Sequence, residues 1–208
     1  MLERAKATDN VNIQLLIALT CLAGGLRRSE LVALRWEDIT LGDKESFICV
    51  RRATVYASGK MTEKETKTKA GTRMIPIQSH GEVFNILQNA KKLYMKEQSQ
   101  EEDFQGQNHV FILHHAPYFP VNDNRMYKIY KRFLEKECPD LPHYRLHDLR
   151  HTYFTLCTES GFSELSIIAT GGHSTIQSTK RYQHATMNRM RADMARLEEV
   201  YQNTTAVL

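Results

Sequence analysis

The stretch from Gly171 to His184 places Tyr182 nine residues after His173, which itself follows a glycine pair. Upstream, His147 and Arg150 stand three residues apart, and Arg27, Arg28 and Glu30 follow a second glycine pair, Gly24-Gly25. A phenol, with a reference pKa of about 10, becomes a useful nucleophile when a neighbouring base or cationic field weakens its hold on the proton. Guanidinium groups are planar, always charged and able to bind bidentately. Two of them suit the non-bridging oxygens of a phosphodiester and the extra negative charge that develops as phosphorus becomes five-coordinate. His147 and Arg150, one helical turn apart, share a face and can reach one ligand. His147 is placed for proton traffic with Tyr182, and His173 for a further donor. The departing sugar oxygen needs a proton, which the lysines of the Glu65 to Gly71 segment can supply, best from one with a lowered pKa.

Taken singly, each feature has an ordinary explanation. Arg27, Arg28 and Glu30 read as a solvated helix start with an internal ion pair. Tyr182 reads as a packed aromatic, and Lys64, Lys67, Lys69 and Arg73 as a charged hairpin. His147 and His151 have the i, i+4 spacing of a metal pair but no third ligand nearby, so no metal site is expected. Joint occurrence in one order outweighs these readings, because every one would have to be coincidental at once.

Helical spacing of apolar residues over Asn12 to Leu22 predicts a helix, with a second short one from Ser29 to Arg35 that starts beside Arg27 and Glu30. Phe47 to Tyr56, Lys64 to Thr68 and Thr72 to Ile77 predict a three-stranded antiparallel sheet, the last two flanking a turn at Ala70-Gly71. An amphipathic helix follows over Gly81 to Lys96, then a polar loop from Glu97 to Asn108 and a short buried strand at His109 to Leu113. Further helices are expected over Asn122 to Glu137, Leu146 to Ser160, Ser163 to Ala169, Ile176 to Tyr182 and Met187 to Gln202. The fold class is therefore α+β, mainly helical, with its small sheet near the first third. No internal repeat or linker divides the chain, so a single domain over 1–208 is expected.

The bulk composition fits this outline. The 208 residues are 41% hydrophobic, with no apolar run near the roughly 18 residues a membrane span needs. Cys21, Cys49, Cys138 and Cys157 lie far apart and no secretory signal is evident, which points to a reduced, cytoplasmic setting. A net charge of +4 and an isoelectric point near 8.8 permit a polyanionic partner. The sequence has neither a phosphate-binding glycine loop nor an acidic cluster suited to two metals, so no cofactor is expected.

Gly25 to Leu31, the hairpin Thr66-Lys67-Thr68-Lys69, His147 to Thr152, Gly172-His173-Ser174 and Arg181 to His184 together resemble the catalytic domain of a tyrosine recombinase of the phage-integrase family. The resemblance runs from about Asn12 to the end of the chain and is nearest to integrases of phages and conjugative transposons. It implies Arg27 and Arg150 as the arginine pair, His147 as the first histidine, His173 at the His-or-Trp position, Glu30 as the acidic support and Tyr182 as the nucleophile. Lys67 matches the catalytic lysine, although counting back from Arg73 leaves Lys69 as an alternative. Lys64, Lys69, Arg73 and Arg181 are expected to bind DNA.

The implied reaction is cleavage through a 3′-phosphotyrosine, with rejoining by a partner strand's 5′-hydroxyl, for integration or excision of a mobile element in a bacterial host. The implied partners are double-stranded DNA, further copies of the chain in a tetramer, and an accessory DNA-bending or excision factor. Relaxation of the type IB topoisomerase kind and a non-catalytic DNA-binding fragment are the alternatives. Relatives carry core-binding and arm-binding domains ahead of the catalytic one. Here Met1 to Asn10 leads straight into the catalytic region, so those domains are expected to be missing and DNA binding to be weak. The segment 187–208 is expected either to pack on its own core or to dock on a neighbouring protomer, its Met190, Met194, Leu197 and Val200 recurring at helical spacing.

Overall fold

The computed structural model describes residues 1–57, 60–65, 72–172 and 183–205. At its centre is α2 (Val11–Cys21), whose Asn10 cap accepts a hydrogen bond from the Ile13 N–H at 3.2 Å. Ile13, Leu15, Leu16, Ile17, Ala18 and Leu19 are all buried, so this helix is covered on every side. Its one buried amide, Asn12, donates to the Ile112 carbonyl at 2.8 Å. Around it pack α1 (Leu2–Lys6), α4 (Glu82–Gln100), α5 (Asp123–Glu137) and α6 (Leu146–Glu159). The short α3 (Arg28–Val32) lies against α5, and α7 (Glu164–Gly171) against the last helix, α8 (Gln183–Thr205).

Three strands form the expected antiparallel sheet, but with different members. The order is β1 (Ile39–Leu41), β2 (Ser46–Val50), β5 (Arg73–Pro76), with Ile48 opposite both Ile39 and Ile75. The β-forming run expected over Phe47 to Tyr56 breaks at Arg51. Its second half becomes β3 (Arg52–Ala57), which among the described residues pairs with β4 (Lys60–Glu65) in a separate hairpin. Of the expected Lys64 to Thr68 strand, Lys64 and Glu65 pair with Ala53 and Arg52, and residues 66–68 lie outside the described residues. Charge explains the break: Arg51 and Arg52 turn to the buried carboxylate of Asp38, and Arg52 also to Glu37, so the chain cannot continue into the apolar sheet.

The strand expected at His109 to Leu113 is buried at Val110, Phe111 and Ile112, yet makes only isolated bridges, His109 with Arg35 and Ile112 with Pro120. The loop expected from Glu97 begins one turn later, because α4 continues to Gln100. The helix expected at 176–182 lies outside the described residues. In α8, Met190, Met194 and Leu197 are buried against their own chain, and the Glu198 carboxylate accepts the Glu82 N–H at the start of α4 at 2.9 Å. Among the described residues, no helix is long and apolar enough to cross a membrane.

Candidate active site

Arg27 sits at the N-cap of α3, and its own N–H is held by the Glu30 carboxylate at 2.8 Å. The same device recurs where Asp38 accepts the Arg35 N–H at 3.1 Å and where Asp148 accepts the Arg145 N–H at 2.7 Å. In each, an acid three residues into the turn satisfies an otherwise unpaired amide of the helix start. The loop before Arg27 depends on Gly24 and Gly25, both with positive φ, at 79° and 57°. A Cβ on Gly24 would run into the Ile75 side chain, and one on Gly25 would lie 3.0 Å from Tyr153 and 3.3 Å from the Arg150 stem. The pair lets the backbone pass between β5 and α6.

Arg150 is 3% exposed and lies over the Phe154 ring, 4.9 Å from its centroid. One terminal nitrogen donates to the Gly25 carbonyl and the other to the Gly171 carbonyl at 2.6 Å. Burial, and after it the charge of Arg27, pushes its pKa down to about 10, so it remains a cation at neutral pH. His147 is exposed in the first turn of α6, its ring edge-to-face with His151 at 4.7 Å. Among the described residues, no group of three His, Cys, Asp or Glu is placed to hold a metal ion.

The last turn of α7 ties these parts together. Three successive carbonyls each accept from a different arginine: Thr170 from Arg73 Nε at 2.6 Å, Gly171 from Arg150, and Gly172 from Arg27 at 3.4 Å. Carbonyls at a helix C-terminus lack partners within the helix and carry the negative end of its dipole, so cations are held well there. Gly172 closes the helix in the left-handed region at φ 63°, where a Cβ would be 2.9 Å from the Arg73 guanidinium. Below these carbonyls the Tyr153 hydroxyl donates to Thr170 Oγ1 at 3.0 Å; burial raises that phenol's pKa well above its ordinary value. His173 is the next residue in the chain.

Arg73, expected among the DNA contacts, is 7% exposed at the start of β5, with both terminal nitrogens on Glu30 at 3.0 and 2.9 Å. Burial alone would raise the Glu30 carboxyl, but the hydrogen bonds and charge of Arg73, helped by Arg27, outweigh it and hold the group below the usual carboxylate range. The structure thus brings together Arg27, Glu30, Arg73 and Arg150, three guanidiniums around one carboxylate, a setting that favours an added anion. Lys64 is exposed on β4. Lys67, Lys69, His173, Arg181 and Tyr182 lie outside the described residues. Sequence reasoning missed the carbonyls of Thr170, Gly171 and Gly172; the glycine pair before His173 was their only signal.

In fold, the chain is similar to the Tn1549 transposon integrase (aa 82–397) in complex with circular intermediate DNA, at a TM-score of 0.60 and 22% identity, covering 91% of this chain and 63% of that one. It is likewise similar to the XerA recombinase, at a TM-score of 0.58 and 17% identity over 92% of this chain and 60% of the other. Residues 1–189 match the Phage integrase family, and the chain belongs to that family. Among relatives, the ICEBs1 integrase of Bacillus subtilis (strain 168) is 30% identical over 183 residues, covering 85% of this chain and 46% of that protein. The "Tyrosine recombinase XerC-like" protein of Caldanaerobacter subterraneus is 26% identical over 168 residues, covering 74% of this chain and 41% of that protein. The chain thus spans under half the length of these two relatives.

Proposed function

We propose that this chain is the strand-cleaving and strand-joining part of a site-specific recombinase, acting in a bacterial cytoplasm on double-stranded DNA at the ends of a mobile element. Arg27 and Arg150 bind the non-bridging oxygens of the scissile phosphate, with His173 adding a donor. The Tyr182 hydroxyl attacks phosphorus while His147 takes part in moving its proton. The phosphorus–O5′ bond breaks, and the O5′ leaves as a hydroxyl carrying a proton from Lys67 or, on the alternative count, Lys69. The product is a 3′-phosphotyrosine, which a 5′-hydroxyl of the partner strand attacks to restore a phosphodiester. One ester replaces another, so the exchange needs no nucleotide cofactor. Two duplexes exchanging strands in this way call for a tetramer of the chain, with Lys64, Lys69 and Arg181 as further DNA contacts and an accessory bending or excision factor setting direction.

The observation that carries this reading is the clamp of Arg27 and Arg150 on the last carbonyls of α7, directly before His173 in the chain. The names of the relatives, integrases and recombinases, and the DNA complex of the Tn1549 integrase support it. A nicked suicide duplex built from the ends of the element, incubated with the protein, is expected to give a covalent adduct mapping to Tyr182. Tyr182→Phe should abolish the adduct and still bind the duplex. An adduct that survives this substitution defeats the assignment of Tyr182. Relaxation of supercoiled plasmid lacking the element ends would instead favour topoisomerase-like activity.

A further inference from the structure

We infer that Arg73 is a positioning residue for Arg27: by occupying Glu30 with its whole guanidinium fork, it keeps the arginine at the start of α3 turned toward the anion site. The inference rests on the reading in which Arg27 binds the scissile phosphate. Glu30 is 5% exposed and receives three guanidinium contacts, two from Arg73 at 3.0 and 2.9 Å and one from Arg27 Nη1 at 3.1 Å. A buried carboxylate left without its principal cation draws in whichever cation stands nearest. That neighbour is Arg27, which already touches Glu30 through one nitrogen and whose side chain is 42% exposed. With Arg73 in place, the competition is settled in favour of the buried arginine, and the half-exposed one keeps a single guanidinium contact with Glu30 while its other terminal nitrogen reaches Gly172.

The shape of the site fits an arginine at this position. Its Nε donates to the Thr170 carbonyl at 2.6 Å while the two terminal nitrogens span the carboxylate, so one rigid plane joins β5, α3 and the end of α7. Gly172 has no Cβ where one would meet Arg73 Nη1 at 2.9 Å, so the backbone carrying the third carbonyl closes directly over this strut. A lysine would keep the charge but could not bridge all three acceptors.

Two measurements test the inference. In the first, inorganic phosphate is titrated against the protein while the Arg27 side-chain N–H resonance is followed. Arg73→Met is expected to weaken phosphate binding by about tenfold, within the usual range for coupled sites, and Glu30→Gln in the same background to restore it, because a neutral amide does not capture Arg27. Unchanged affinity in Arg73→Met, or no recovery in the double variant, overturns the inference. Arg73→Gln, which keeps hydrogen-bond donors but leaves Glu30 without its cation, provides the same comparison if Arg73→Met does not fold.

In the second, single-turnover cleavage is measured on the nicked duplex of element ends, with either a normal or an uncharged methylphosphonate group at the scissile position. Arg73→Met should lose about 100-fold on the charged group, the scale of removing one transition-state donor, and far less on the uncharged one. Equal losses on both substrates make Arg73 a folding strut alone and sink the inference. If the unsubstituted protein forms no adduct at Tyr182, the recombinase reading fails, and the phosphate titration still decides the Arg73 question.

Discussion

The two β-structures of this chain are held by different mixtures of packing and charge. The sheet β1–β2–β5 buries Ile39, Ile48, Val50 and Ile75, and supplies the wall against which Gly24 turns and from which Arg73 projects. The hairpin β3–β4 lies along α3 through β3, and ion pairs add to that contact. Glu63 is gripped by Arg35 and by His109, each at 2.8 Å, while Arg52 pairs with Glu37 and Asp38. Apolar burial is insensitive to salt and mild acid, whereas ion pairs respond to both. The arginine cluster thus stands on a stiff support, and the Thr66 to Gly71 segment that carries the candidate lysines follows directly from one that solution conditions can loosen.

The largest effect should come from breaking the stiff side. Ile75→Ala removes a fully buried side chain on β5, opposite Ile48 of the central strand, and should destabilise the protein by about 2–5 kcal/mol, read as a shift of the denaturant midpoint. Because Ile75 also packs on Gly24, phosphate binding at Arg27 should fall with it. A cost near zero would mean that the sheet does not support the site.

Cutting the ionic side should act locally. Glu63→Ala leaves the 4%-exposed His109 without its acceptor and Arg35 without its carboxylate. It should weaken the hairpin's hold on the body by about 1–3 kcal/mol, the usual penalty for a buried group that loses its partner. Amide exchange should speed up throughout β3 and β4 and remain slow in β2 and β5. Equal acceleration in both would show one cooperative unit and erase the distinction.

The same contrast governs what could be read from the sequence. Helices announced themselves through local signals: Asn122 and Ser163 cap α5 and α7, and the helix expected over Leu146 to Ser160 stops at Glu159, just before Gly161. The arginine and histidine motifs were legible because each is a short run of side chains. Partners distant in sequence were not. Nothing around Arg51 reveals that Asp38 will pull it out of the strand, and nothing around Arg73 shows Glu30, 43 positions earlier, as its acceptor. A surface cation and a buried one look alike until the fold supplies the carboxylate. The carbonyls that hold Arg27 and Arg150 are backbone atoms, which every residue possesses, so only the glycines permitting their approach leave a trace.

Acid should separate the two regions next. Burial tends to raise the Glu63 carboxyl, but its hydrogen bonds to His109 and Arg35 outweigh this and hold it below the ordinary value. The stabilisation it gives is complete above the unfolded chain's carboxylate value of about 4.3 and fades as pH falls through the lower folded value. Hairpin amide protection should therefore decline below that pH, and Glu63→Gln should flatten the decline. A hairpin whose protection is unaltered by the substitution across this range is not held by Glu63.

The smallest effect is that of salt, and it isolates charge without a mutation. Raising ionic strength from 0.1 to 1 M shortens the screening length from about 10 to about 3 Å. The part-exposed pair Arg35–Glu63 should weaken by a few tenths of a kcal/mol, in the range of surface pairs. The Glu30–Arg73 pair, with both side chains at 6% exposure or less, is shielded from counterions and should hold. Amide exchange at the two salt concentrations should thus quicken in β3 and β4 and stay constant in β5. The opposite order would mean that the hairpin is held by packing and the arginine cluster by accessible charge.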